Sequence, residues 1–293
     1  MTRYYLVAGH RFSIEIEDGS PLWDRLDNYL PFGCEADDDC IFHLRYSHQE
    51  AVPEKVPFYK DKPEDEDQPR MEIYRETHGD RWIIEMAPTQ KMPICVRIFA
   101  SADFRQGVVH VANEEHLAVF GINNAAMLLY AFTTATRGTL ELHASVIANG
   151  GRGYLFLGKS GTGKSTHSNL WLKYVEGSEL LNDDNPIIRV GQDGTARVYG
   201  SPWSGKTPCY RNMDVPAGAF VNLHQASENR IRRCNIIEGY AAVYPSCSGL
   251  RMIREYADGM HQTIEQILMQ VPCYDLDCLP DEGAARLSSQ TIR

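Results

Sequence analysis

Hydrophobic and polar residues alternate through much of the first third of the chain. Phe12, Ile14 and Ile16 are separated by Ser13 and Glu15, and residues 41–46 repeat the pattern, so both stretches predict strands with one buried face. Residues 4–8 read as a further strand. Residues 71–76 and 81–86 flank His78, Gly79 and Asp80 and predict a hairpin, and residues 94–99 add one more strand. Between these strands, residues 60–69 form a proline-bounded acidic run that reads as a solvated loop.

The period changes at residues 113–137. Asn113 can cap a helix, Glu114 and Glu115 fall in its first turn, Gly138 follows its end, and Leu117, Phe120, Ala125, Leu128, Leu129 and Phe132 supply a broad apolar face. Next come a strand over 140–148, a glycine-rich turn at 149–153 and a second strand over 154–157. These two strands form a hairpin, not a parallel strand–helix–strand unit. A helix over 165–174 follows, then a short apolar run at 179–181 and a hairpin of 187–190 with 196–199. Beyond it the pattern gives a strand at 217–224, a helix over 260–269, a strand at 271–276 and a last helix at 281–287 capped by Asp281. The order predicts an α/β chain (α+β, with mixed sheets) in two parts: a smaller β-rich domain at 1–112 and a larger domain at 113–293 that begins with the long helix.

A length of 293 residues fits two domains, and 43% hydrophobic residues are enough for ordinary cores. The net charge of −10 argues against a general nucleic-acid or anionic-membrane binder, but not against a nucleotide, whose phosphates need only local donors. The first residues carry no signal-type apolar region, and no apolar run approaches the ~20 residues of a membrane span, so a cytoplasmic protein is expected. The eight cysteines fit no zinc or redox spacing and read as structural thiols. The acidic stretch 35–39 lacks the glycine and closing glutamate of a calcium loop and reads as a surface turn.

The strongest chemical signal is the run Gly158, Lys159, Ser160, Gly161, Thr162, Gly163, Lys164, Ser165 and Thr166, which fits the phosphate-binding pattern G-x-x-x-x-G-K-[ST]. A strand precedes it and a helix follows, as the motif requires. The glycines let successive N–H groups point inward as an anion nest, and the helix adds its positive end. Lys164 is expected to reach the β- and γ-phosphates of ATP or GTP, and the Ser165 hydroxyl to ligate Mg²⁺.

Asp183 and Asp184 end the apolar run at 179–181, where a metal-holding acid or a base is expected. Successive residues of an extended segment point opposite ways, so the reading makes Asp183 the base and Asp184 the metal-associated residue. His143 lies one strand ahead of the loop and is expected to steady phosphate charge or relay a proton. Lys206 and Arg211 are surface cations or a clamp on the transferred group or the acceptor, and Trp203 is a packing residue or a lid.

In this order of features, residues 113–293 resemble the catalytic domain of HPr kinase/phosphorylase and its relatives. That group shares the P-loop fold of ATP-dependent phosphoenolpyruvate carboxykinase. The resemblance rests on His143, the 158–166 loop, the pair Asp183 and Asp184, and the tail at 271–276. It implies an ATP- and Mg²⁺-dependent kinase acting on a serine-type hydroxyl of a protein, peptide or small molecule, with His143 near the phosphates and a homo-oligomeric assembly. The acid and the arginine that the family carries before a glycine and an apolar run are not matched at 197–203, so the resemblance does not extend to a second family metal contact, to phosphorylase activity or to HPr as substrate. Residues 1–112 do not resemble the family's amino-terminal domain, and they and the 200–212 loop are expected to select the acceptor. A carboxykinase-like lyase, a non-catalytic nucleotide-binding regulator and a nucleotide hydrolase are the alternative readings.

Overall fold

The computed structural model describes residues 1–48, 50–60, 69–112, 115–205 and 207–293. Most of the acidic run at 60–69, the expected cap Asn113 with Glu114, and Lys206 lie outside the described residues. The chain forms two compact units, Met1–Thr133 and Thr134–Arg293, and both are mixed α/β.

The first unit contains β1 (Thr2–Val7), β2 (His10–Glu15), β3 (Gly33–Cys34), β4 (His43–Ser47), β5 (Lys55–Lys60), β6 (Arg70–Glu76), β7 (Trp82–Ala87), β8 (Val96–Ala100) and β9 (Gln106–Val111). Among the described residues they form one sheet in the order β3-β1-β2-β4-β9-β8-β7-β6-β5. The expected hairpin is β6–β7, paired antiparallel from Arg70↔Ala87 to Arg75↔Trp82. Every residue of β7 is buried, including Glu85, whose carboxylate is matched by Lys55 at 2.6 Å and Arg97 at 2.8 Å.

Helix α1 (Glu115–Thr134) packs on this sheet. A Cβ on Gly107 would lie 2.5 Å from the Leu129 methyl, and one on Gly121 2.7 Å from that of Val111, so sheet and helix approach more closely than larger residues permit. The Tyr130 hydroxyl donates to the Val7 carbonyl at 3.0 Å. The expectation that this helix opens the second domain is therefore corrected: the unit boundary falls at its far end, because the first unit's sheet covers its apolar side. The membrane-span expectation also needs correction. Residues His116–Thr134 are long and apolar enough to cross a membrane, at a mean hydropathy of 1.4, although 61% of that window is buried inside the fold.

The second unit contains β10 (Thr139–Glu141), β11 (Ala144–Asn149), β12 (Arg152–Leu157), α2 (Lys164–Tyr174), β13 (Glu179–Asp184), β14 (Ile187–Val190), β15 (Ala196–Tyr199), β16 (Asp214–Gln225), β17 (Arg230–Arg233), α3 (Ile236–Val243), α4 (Arg254–Leu268), β18 (Cys273–Cys278) and α5 (Glu282–Ile292). The sheet runs β10-β14-β15-β16-β12-β11-β13, with β18 paired to β16 and β17 paired to β18. β11 and β12 form the expected antiparallel hairpin, and β12 pairs parallel with β16.

Alternation along β12 divides the core. Leu155 and Leu157 join the cluster containing Met260, Ile264 and Ile267 of α4, whereas Tyr154 and Phe156 join the cluster containing Trp171 of α2 and Ala285 of α5. The sheet is thus a middle layer with helices on both faces. Trp171 is fully buried, 5.2 Å from the Tyr154 ring and 5.6 Å from that of Phe156, and its indole N–H donates to Ser288 at 2.9 Å.

The single strand expected over 140–148 is instead two. β10 pairs with β14, β11 pairs with β12 and β13, and the chain changes partners at Leu142 and His143. At the same level the neighbouring chain passes from β13 to β14 through Asn185 and Pro186, and the Leu142 amide donates to the Pro186 carbonyl at 3.0 Å. No disulfide joins the cysteines.

Candidate active site

Residues 158–163 connect the carboxyl end of β12 to α2. Gly158, Gly161 and Gly163 take φ of 144°, 78° and 109°, values that side chains with a Cβ rarely adopt, and Gly163 caps α2 from the left-handed region. The Lys164 ammonium turns back over the loop and donates to the carbonyls of Gly158 at 3.0 Å and Lys159 at 3.3 Å. Burial pushes its pKa below the usual lysine value, and the Asp184 and Asp183 carboxylates oppose that shift. One cation is therefore held at the centre of a turn with its carboxylates close by.

Antiparallel pairing of β11 with β13 sets the acids beside this loop. Ser145 is opposite Asp183, and Ala144 is opposite Asp184. The Ser165 hydroxyl donates to Asp183 Oδ1 at 2.9 Å. The adjacent Asp184 does not follow the strand alternation. Its φ is 134°, and Oδ1 lies 3.6 Å from His143 Nε2, while Oδ2 accepts from Asn185. The sequence reading paired Asp184 with Ser165 at the metal and gave Asp183 the role of base, but the hydrogen bond links Ser165 to Asp183.

The strand break gives His143 its position. Its amide donates to the Ser246 carbonyl at 2.7 Å, and its side chain remains about half exposed next to Asp184. Burial and the Lys164 ammonium hold its pKa below the usual histidine range, against the pull of Asp184 and Asp183. Lys164, His143, Asp183 and Asp184 thus form one electrostatic group drawn from three segments of the chain.

The 201–205 segment closes over the acids. Ser204 donates to the Asp183 carbonyl at 3.0 Å, and a Cβ on Gly205 would lie 3.0 Å from that of Asp184 and 3.2 Å from the Asp183 carbonyl. Trp203 is buried and accepts through its carbonyl from Asn182 at 3.0 Å, which makes it a packing residue and not a lid. Arg211 is not brought to the group. Its guanidinium pairs with Glu179 at 2.7 Å, at the start of β13, five residues or roughly 16 Å of strand from Asp184.

Pattern reading passed over several residues of the group. Asn182 is fully buried and ties Asn185, Ser201 and Trp203 together. Glu141 is fully buried: one oxygen accepts from the Ser248 hydroxyl at 3.3 Å, and Oε2 has no hydrogen-bond partner among the described residues. Burial raises its pKa well above the usual carboxylate value. Glu141 stands between two leucines, which by alternation marks a solvent-facing residue, so the signal pointed the wrong way. His167 is also buried. It shares Ser288 with Trp171, and burial lowers its pKa to about 4.

No family model and no curated protein matches the chain. Among solved structures, the HPr(Ser) kinase/phosphatase from Coxiella burnetii aligns with 52% of this chain and 93% of its own at 12% identity, with a TM-score of 0.31.

Proposed function

We propose that the chain is an ATP- or GTP-dependent phosphotransferase, of the kind HPr kinase-like proteins represent, that moves the γ-phosphoryl group to a hydroxyl on a protein, peptide or small molecule. One observation carries the reading: a glycine-rich phosphate-type loop presents Lys164 and Ser165 to two acids, with Ser165 bonded to Asp183 and Asp184 beside His143.

The amides of 158–166 and the Lys164 ammonium bind the β- and γ-phosphates. The donor set near Ser165 fits Mg²⁺, since a hydroxyl and the Asp183 carboxylate are hard oxygen ligands. The absence of any three-residue His, Cys, Asp or Glu cluster among the described residues is compatible with an ion that keeps water and phosphate ligands. When bound, Mg²⁺ neutralises charge on the phosphate oxygens. Asp184 accepts the proton of the acceptor hydroxyl as its oxygen bonds to the γ-phosphorus and the bond to the β-phosphate oxygen breaks. His143, with Nε2 3.6 Å from Asp184 Oδ1, orients Asp184. This assignment reverses the two aspartates of the sequence reading.

The test is transfer of label from γ-labelled ATP or GTP, with Mg²⁺, to a lysate of the source cells, with Lys164→Ala as control. Label on a protein, peptide or metabolite that depends on Lys164 is the expected result. Free phosphate alone would make the protein a hydrolase, and binding without turnover would make it a regulator.

A further inference from the structure

A cleft of about 380 Å³ opens from the side of the phosphate-type loop, and its size is within the ~300–1,000 Å³ of small-molecule sites. One wall is the loop and the first turns of α2, Gly161 to Gly163 with Thr166 and Leu170. The other is the end of β16 with Ala226 and the 278–280 segment that leads to α5. Leu170, Ala226, Leu279 and Pro280 supply an apolar lining, and no acid, lysine or arginine lines the cleft.

Gln225 gives the cleft its polarity. Its amide nitrogen donates to the carbonyls of Gly161 at 3.2 Å and Thr162 at 3.3 Å, so both amide hydrogens are engaged and Oε1 is left as an acceptor. A larger cleft of the unit, about 570 Å³, is of opposite character. It is lined by Arg230, Arg232, Glu238, Asp275 and Asp277, with Arg232 paired to both Glu238 and Asp275.

We propose that the cleft beside Thr166 receives the uncharged nucleoside half of the nucleotide. The ring would lie against Leu170, Ala226, Leu279 and Pro280, and Gln225 Oε1 would accept from a ribose hydroxyl or ring amine. The argument is continuity and charge: phosphates need the donors of the loop, and the cleft that adjoins those donors has an apolar wall, no acid, lysine or arginine, and Gln225 Oε1 as an acceptor. This inference rests on the phosphate-binding reading of the loop.

The experiment measures binding of ATP, GTP and inorganic tripolyphosphate to the full chain by competition calorimetry. Ala226→Phe fills the cleft and is expected to weaken the nucleotides at least tenfold while tripolyphosphate stays within twofold. Leu279→Ala, which removes wall and adds no bulk, is expected to weaken the nucleotides about threefold with the same selectivity. Ala241→Trp, in the charged cleft, is expected to leave all three unchanged. Equal loss of tripolyphosphate, unchanged nucleotide binding in both cleft variants, or a selective nucleotide loss in Ala241→Trp would overturn the assignment. Lys164→Ala tests the underlying reading separately: it is expected to weaken all three probes. If it alters none of them, or the wild type binds none, the loop reading fails and this inference with it.

Discussion

Ser165 and Asp183 are 18 residues apart in the chain, and their side chains meet at 2.9 Å. The pair joins the first turn of α2 to the end of β13, and neither helix nor strand geometry alone would bring it about. It identifies which of two adjacent acids lies on the loop side of the group.

Removal of the loop cation should act on nucleotide and not on fold. Among the described residues Lys164 Nζ donates to the loop's own carbonyls, so Lys164→Ala is expected to keep its circular dichroism spectrum. It should bind nucleotide roughly 10- to 100-fold more weakly, the size of one or two charge-assisted hydrogen bonds. Wild-type affinity in the variant would remove Lys164 from phosphate contact.

The two aspartates should separate by experiment. Asp184→Asn is expected to lower turnover by about 10²–10⁴-fold with nucleotide affinity little changed, as loss of a proton acceptor would. Asp183→Asn is expected to reduce the dependence of nucleotide binding on Mg²⁺. Steady-state kinetics with a Mg²⁺ titration decides between them, and the reverse outcome would restore Asp183 as base.

His167 should govern part of the acid sensitivity. Its folded pKa of about 4 lies below the usual 6.5, so its contribution to stability is complete above pH 6.5 and is lost as pH falls toward 4. Between pH 7 and 4 the wild type should lose about 3 kcal/mol that His167→Gln does not lose. Urea unfolding at the two pH values measures this, and identical losses in both proteins would count against it.

Glu141 should act with the opposite sign. Its folded pKa is raised, so its contribution is complete below the ordinary carboxylate pKa and is lost as pH rises. Glu141→Gln, the same shape without ionisation, is expected to be more stable than wild type at pH 8 by about 1–3 kcal/mol, with the gap closing toward pH 5. Parallel pH profiles for the two proteins would show that the carboxyl is already relieved in the native state.

Most strands were legible because they are amphipathic or bounded by glycine. β14 and β15 match the pattern, and the hairpin ahead of the loop was expected. The break at Leu142 and His143 was not legible, because the apolar run continues through a change of partner that only the third dimension imposes. The boundary after Thr133 was missed for a similar reason: α1 has no sequence mark that says which sheet covers it. Helix α3, absent from the sequence reading, did have a start signal. Asn235 and Glu238 cap each other's backbone amides in the structure, and their spacing is that of a capping box. Of the site, loop and acids could be read from motif and spacing, whereas Glu141 and Asn182 act through burial, which alternation does not report.

The partner change shared by β10–β11 and β13–β14 has a mechanical meaning. It divides the second unit's sheet into two panels, and among the described residues only three strand paths cross between them: the crossings at 142–143 and 185–186, and the long β16. A rotation of one panel against the other concentrates its strain at those crossings, and two of the three adjoin His143 and Asp184. An amide-exchange comparison with and without nucleotide would register such a rotation at Leu142, His143 and Asn185.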